Sequence, residues 1–112
     1  MNILITGGAS GLGKAITETL AVDKNNIIYF TYSKSEEKAK KIKTNFKNTI
    51  SIKCDFSEPS ELLSLQDQIK EMDLDVLVNN AYCSKIDQMH FHKSSPLDFL
   101  TDFKDNIIPT II

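Results

Sequence analysis

The sequence predicts an α/β protein built on a doubly wound parallel sheet in three αβα layers, with strand order 3-2-1-4. Three observations predict it. Short apolar or β-branched runs alternate with segments of helical periodicity along the chain. Such alternation gives a parallel sheet covered on both faces. Glycines crowd the junction of the first strand and first helix, and right-handed crossovers leave the doubly wound topology as the commonest solution.

Each element follows from its residues. Asn2 to Thr6 is a short apolar run ending in glycines, a buried strand. Leu12, Ala15, Ile16 and Leu20 recur at helical spacing, so a helix is expected from Gly11 to about Val22. Asn25-Asn26 is a turn. Ile27 to Tyr32 is β-branched and aromatic, a second strand. Ser35 to Phe46 is rich in Lys, Glu and Ala, with Ala39, Ile42 and Phe46 on one face, a second helix. Thr49 to Cys54 is a third strand. Ser57 is the expected cap of a third helix, with Pro59 in its first turn and Leu62, Leu65 and Ile69 as its apolar stripe. Asp75 to Asn79 contains Val-Leu-Val, a fourth buried strand. Residues 82–94 read as an exposed loop. Ser95-Pro96-Leu97-Asp98 reads as a helix start, and that helix runs to the chain end, kinked at Pro109.

Composition narrows the classes of function. The chain has 112 residues, 41% hydrophobic and 25% charged, with net charge −2, ordinary for one soluble domain. No basic surplus points to nucleic acid. The N-terminus lacks the features of a signal peptide, and no apolar run approaches the ~20 residues that span a bilayer. Cys54 and Cys83 form no CxxC or His/Cys cluster, so neither zinc nor a disulfide framework is expected. Both thiols read as small buried hydrophobes in a reducing cytoplasm. His90 and His92 flank Phe91 in the loop without acidic or cysteine partners, and no metal site is expected.

All four glycines of the chain, Gly7, Gly8, Gly11 and Gly13, fall within Thr6-Gly7-Gly8-Ala9-Ser10-Gly11-Leu12-Gly13. A dinucleotide-binding loop requires glycine three times: Gly7 for the tight turn, Gly11 for close approach to a pyrophosphate, and Gly13 for close packing of helix and sheet. The helix N-terminus then offers N–H groups and partial positive charge to the phosphates, with Ser10 and Leu12 completing the loop. A rival reading is the GxxxxGK of phosphate-transferring P-loop proteins, which Gly8 to Lys14 fits. That motif needs Ser or Thr next for magnesium, and Ala15 stands there. Lys14 then reads as a solvent-facing helix residue.

The loop matches TGxxxGxG, and the chain resembles the short-chain dehydrogenase/reductase family, whose fold is the Rossmann type. Cys54-Asp55-Phe56-Ser57, after the third strand, is similar to the family's adenine-contacting Asp segment, placing Asp55 and Phe56 at the cofactor. Asn79-Asn80-Ala81 resembles the NNAG motif that steadies the central sheet, with Asn80 and Ala81 along the ribose wall. Tyr82 departs from the last position of that motif. Asn106 aligns with the family's Asn that supports a proton relay. The family's catalytic Ser and Tyr-x-x-x-Lys are not found here: Tyr29, Tyr32 and Tyr82 are followed four residues later by Ser33, Glu36 and Ile86. The chain therefore reads as a truncated Rossmann domain over residues 1–112, the NAD(P)-binding half of an oxidoreductase and inactive by itself.

The resemblance implies hydride transfer between nicotinamide and a small-molecule carbonyl or alcohol. An acid at the end of the second strand would select NAD. Thr31-Tyr32-Ser33-Lys34 has none, and Ser33 and Lys34 suit a 2′-phosphate. NADP is the expected cofactor, with NAD the alternative. Val76 to Asn79 would form an apolar edge of the four-stranded sheet, so the isolated chain should associate, and a homo-oligomer is expected of the full-length protein. Two other functions are kept beside this one: a non-catalytic NAD(P)-binding sensor or scaffold, and a P-loop-like phosphotransferase.

Overall fold

The computed structural model describes residues 1–81. Their elements run β1 (Asn2–Ile5), α1 (Gly11–Ala21), β2 (Ile27–Tyr32), α2 (Glu36–Asn45), β3 (Thr49–Lys53), α3 (Pro59–Met72) and β4 (Val76–Val78). All strands are parallel, in the order β3-β2-β1-β4. Central β1 pairs with both β2 and β4, Leu4 lying opposite Tyr29 on one side and Leu77 on the other.

The pleat sorts side chains into two cores. Ile3, Ile5, Ile28 and Phe30 face α1 and α2, where Ala21, Ala39 and Ile42 are buried against them. On the opposite face, Tyr29, Ile52 and Cys54 pack with Leu65, Ile69 and Met72 of α3. These are the three expected layers. Ala39 and Ile42 share the packed face of α2, with the C-cap residue Phe46 against the same core, and Leu65 and Ile69 share that of α3.

Three local expectations are corrected. The buried line of α1 is Gly13, Thr17 and Ala21, while Leu12 is 71% exposed. Close approach to the sheet leaves room only for small residues, and Ile16 and Leu20 flank the contact. Next, the cap of α3 lies one residue beyond Ser57: Glu58 is its N-cap and Pro59 takes the first helical position, where its missing N–H is no loss. Finally, β4 is only half-buried, with Leu77 55% exposed, because among the described residues it has a single sheet neighbour, β1.

The C-terminus of α1 has no glycine. Its carbonyls are closed from outside by amides of the following segments. Asn26 Nδ2 donates to the Leu20 carbonyl at 3.0 Å, and Asn48 Nδ2 to those of Ala21 and Asn26 at 3.1 and 2.9 Å. The sequence-expected loop at 82–94 and the helix from Ser95, with Pro109, lie outside the described residues.

Candidate functional site

In a parallel sheet every strand ends on the same edge. Here β2 and β3 lie to one side of β1 and β4 to the other, so the strand order reverses at β1, and the C-terminal ends of β1 and β4 mark the switch point where such sheets form a binding crevice. The glycine loop leaves β1 at that crevice. Ser33-Lys34, Asp55-Phe56 and Asn80-Ala81 follow the ends of β2, β3 and β4. The described residues expected at a nucleotide site therefore share one edge.

The loop itself is tightly determined. Gly7 and Gly11 have φ of +67° and +54°, the left-handed region that disfavours side chains. A Cβ on Gly13 would overlap the Gly7 carbonyl oxygen and come within 2.5 Å of Asn80 Nδ2. Gly13 thus lets α1 start against the loop's own backbone. By contrast, a Cβ on Gly11 meets none of the described residues within 4 Å, so among them the space over this turn is open. Ser10 is the N-cap of α1 but makes no side-chain capping bond. The first intrahelical bond runs from Lys14 N to the Ser10 carbonyl at 3.1 Å, leaving the N–H groups of Gly11, Leu12 and Gly13 ahead of it. Open donors facing open space fit an anionic group such as a pyrophosphate. Lys14 extends along the helix toward Glu18, Nζ to Oε1 3.7 Å, which agrees with its reading as a solvent-side residue.

Thr6 joins the two sides of the crevice. Its hydroxyl accepts from the N–H groups of Asn80 and Ala81, each at 2.9 Å, and its own proton faces Asn79 Oδ1 at 3.3 Å. A hydroxyl has two acceptor sites and one donor, so Thr6 is saturated. Asn80 Nδ2 adds a bond to the Gly7 carbonyl at 3.2 Å. On the β2 side, the Gly7 and Gly8 N–H groups donate to Thr31 Oγ1 and the Thr31 carbonyl, both at 2.9 Å. Thr17 lies beneath, its Oγ1 3.0 Å from the Gly8 carbonyl and 2.9 Å from that of Gly13.

Ser33 and Lys34 are both exposed at the end of β2, with no hydrogen bond or ion pair to the other described residues. Asp55 is held in a turn. Its Oδ1 accepts from Ser57 N at 2.9 Å and Ser57 Oγ at 2.6 Å, and its carbonyl accepts from Glu58 N at 3.0 Å. The adjacent Cys54 is a buried free thiol. Burial, with the Glu61 and Asp55 carboxylates nearby, raises its pKa from 9.0 to about 11, so it is inert at neutral pH.

Sequence reasoning missed Gly8, Thr6, Thr17 and Thr31. Gly8 carried a signal that went unused, since it belongs to the same glycine cluster: a Cβ there would lie 2.6 Å from both Phe30 Cβ and Thr17 Oγ1. Thr6 stands at the first position of the TGxxxGxG match, a signal likewise unused, whereas Thr17 and Thr31 carried none, because a threonine inside a strand or helix has no spacing that marks its partner. Asn106, Tyr82, His90, His92 and Cys83 lie outside the described residues. Among the described residues no cluster of His, Cys, Asp or Glu could hold a metal, and no helix is long and apolar enough to cross a membrane.

Comparison with known proteins gives a consistent result. The sequence model of the family described as short chain dehydrogenase matches residues 1–111. Glucose 1-dehydrogenase 2 of Bacillus subtilis is 29% identical over 97% of the chain and 44% of its own length. The 3-oxoacyl-acyl-carrier-protein reductase FabG of Buchnera aphidicola is 38% identical over 70% of the chain and 33% of its own length. A short chain dehydrogenase from Burkholderia cenocepacia, solved in complex with NADP, superposes with a TM-score of 0.79 at 29% identity, over 97% of this chain and 46% of that one. The chain thus spans less than half the length of these relatives.

Proposed function

The chain belongs to the short-chain dehydrogenase family, and on that premise we propose that residues 1–112 are the dinucleotide-binding half of an NADP-dependent carbonyl reductase or alcohol dehydrogenase. One observation carries the reading. The uncapped first turn of α1, the exposed Ser33 and Lys34, and the turn at Asp55 follow neighbouring strands along one sheet edge. That is the order in which a dinucleotide presents pyrophosphate, ribose phosphate and adenine.

Each residue has a defined task in this proposal. The N–H groups of Gly11, Leu12 and Gly13 hold the pyrophosphate, with Ser10 at the rim and Gly7 setting the turn. Ser33 Oγ and Lys34 Nζ hold the 2′-phosphate. Every one of the 13 Lys/Arg positions in the chain is lysine, so the phosphate is met by a point charge and a hydroxyl rather than a planar guanidinium fork. Asp55 and Phe56 border the adenine, and Asn80 and Ala81 the ribose. Asn106 supports the proton relay by family likeness. When bound, the nicotinamide supplies or accepts the hydride. The remainder of the protein provides the acid/base, and the substrate is a small carbonyl or alcohol. A cytoplasmic setting accords with the free thiol of Cys54.

Titration with NADPH and NADH tests the assignment. NADPH should bind more tightly. Lys34→Ala should narrow the gap by about threefold, the scale of one exposed ion pair, and added salt should narrow it as well. Equal affinities for the two cofactors at low salt would overturn the 2′-phosphate site.

A further inference from the structure

The turn after β3 is anchored from two different elements. The last rung of the β2–β3 ladder is Cys54 N to the Tyr32 carbonyl at 2.8 Å. Asp55 N–H lies one residue beyond it and has no strand to receive it. Glu61 supplies the acceptor: its Oε1 takes Asp55 N–H at 3.2 Å. Glu61 is the third residue of α3, after Pro59 and Ser60. At that position a glutamate ordinarily reaches back to the N–H of its own N-cap. Here the N-cap Glu58 N–H already donates to the Asp55 carbonyl at 3.0 Å, so the Glu61 side chain reaches three residues further, to Asp55.

Contacts from Ser57 and from Glu61 both bear on where the Asp55 carboxylate points. Ser57 holds Oδ1 through its N–H and hydroxyl, but Ser57 belongs to the same short turn and would move with it. Glu61 belongs to α3, whose Leu65 and Met72 are buried against the sheet. Cys54 and Phe56, on either side of Asp55, pack in that same core, and Glu61 is the side chain of α3 that ties the Asp55 backbone to it.

We propose that Glu61 is a positioning residue for base recognition, fixing Asp55 so that the site prefers adenine to bases lacking its exocyclic amine. The inference rests on the proposed placement of adenine at Asp55. The chemistry is specific. A carboxylate accepts from the adenine 6-amino group and finds no such donor on hypoxanthine, which carries a carbonyl there. Preference between the two bases therefore reports the aim of Asp55, separately from affinity for the phosphates.

The test measures the affinity of the full chain for NADPH and for its hypoxanthine analogue, in the parent protein and in Glu61→Asp and Glu61→Gln. Glu61→Asp keeps the negative charge at the start of α3 but shortens the side chain by one methylene, out of reach of Asp55 N–H. Glu61→Gln keeps the length and the acceptor oxygen. The parent should prefer the adenine form by about tenfold, the scale of one hydrogen bond to a charged group. Glu61→Asp should cut that preference to about threefold or less, and Glu61→Gln should keep it. No base preference in the parent would refute the placement of adenine at Asp55, leaving the phosphate assignments to stand on their own titration. A parent that discriminates, together with a Glu61→Asp variant that binds both forms more weakly by the same factor, would overturn the role of Glu61. So would a Glu61→Gln variant that loses the preference as fully as Glu61→Asp does.

Discussion

Replacing Thr6 with valine removes one oxygen from the centre of the crevice while keeping the shape of the side chain. Thr6 is 5% exposed, and its hydroxyl accepts from the N–H groups of Asn80 and Ala81 at 2.9 Å each. Valine fills nearly the same volume, so no cavity term enters, and the loss is electrostatic. Each buried donor left without a partner costs about 1–3 kcal/mol. Asn80 and Ala81 are half-buried and recover part of this from water, which places each near the lower bound. The expected destabilisation is about 2 kcal/mol, or roughly a 10 °C fall in Tm for a domain of this size. Urea and thermal unfolding followed by circular dichroism measure it. Thr6→Ser keeps the hydroxyl and should lose less than about 1 kcal/mol, the transfer value of one buried methyl group. A Thr6→Val protein within about 0.5 kcal/mol of the parent, the usual range for neutral surface changes, would refute the idea that this hydroxyl joins β1 to the segment after β4.

Two further outcomes follow from the loop and from the buried thiol. Gly13→Ala drives a methyl group into the Gly7 carbonyl and should destabilise by about 3 kcal/mol or more. Gly11→Ala meets none of the described residues within 4 Å, so it should cost about 1–2 kcal/mol for its left-handed backbone while weakening NADPH binding; unfolding curves and titration of both variants separate the effects, and equal destabilisation would contradict the packing of Gly13 against Gly7. Cys54 holds its proton to about pH 11 in the folded chain against 9.0 ordinarily. The unfolded state therefore releases that proton first, and stability should fall as pH rises from 9 toward 11. Cys54→Ser should flatten the decline measured by urea titration across that range, and an unchanged decline would dissociate it from this thiol.

Much of the fold was legible because its signals are local. The β-branched and aromatic run Ile27–Tyr32 is a strand with those same bounds, since an interior strand with a core on each face needs bulky apolar residues almost throughout. The helical spacing of Ala39 and Ile42, and of Leu65 and Ile69, marked the buried faces of α2 and α3. The clustering of every glycine in one strand-to-helix junction pointed to the crevice, because backbone that must turn sharply and approach another chain segment excludes side chains.

What was misread depended on distance in space. Leu12 looked like part of the core because it is apolar and correctly spaced, yet the line that touches the sheet is Gly13, Thr17 and Ala21. Hydrophobicity is a poor guide where backbones come so close that only small residues fit. Ser57 had the chemistry of a helix cap, but the turn set by Pro59 left its hydroxyl to Asp55 Oδ1 instead. Asn26 and Asn48 close the end of α1 in place of a glycine, a pairing that requires β2 and β3 to be already docked. The sequence by itself determined the order, period and type of the elements, and the one loop where glycine is obligatory. Tertiary structure alone decided which polar side chain meets which backbone group. Thr6 with Asn80 and Ala81, and Glu61 with Asp55, are contacts made only once the parallel strands bring their ends to a common edge, and a hydrogen bond leaves no periodic trace in the residues between its partners.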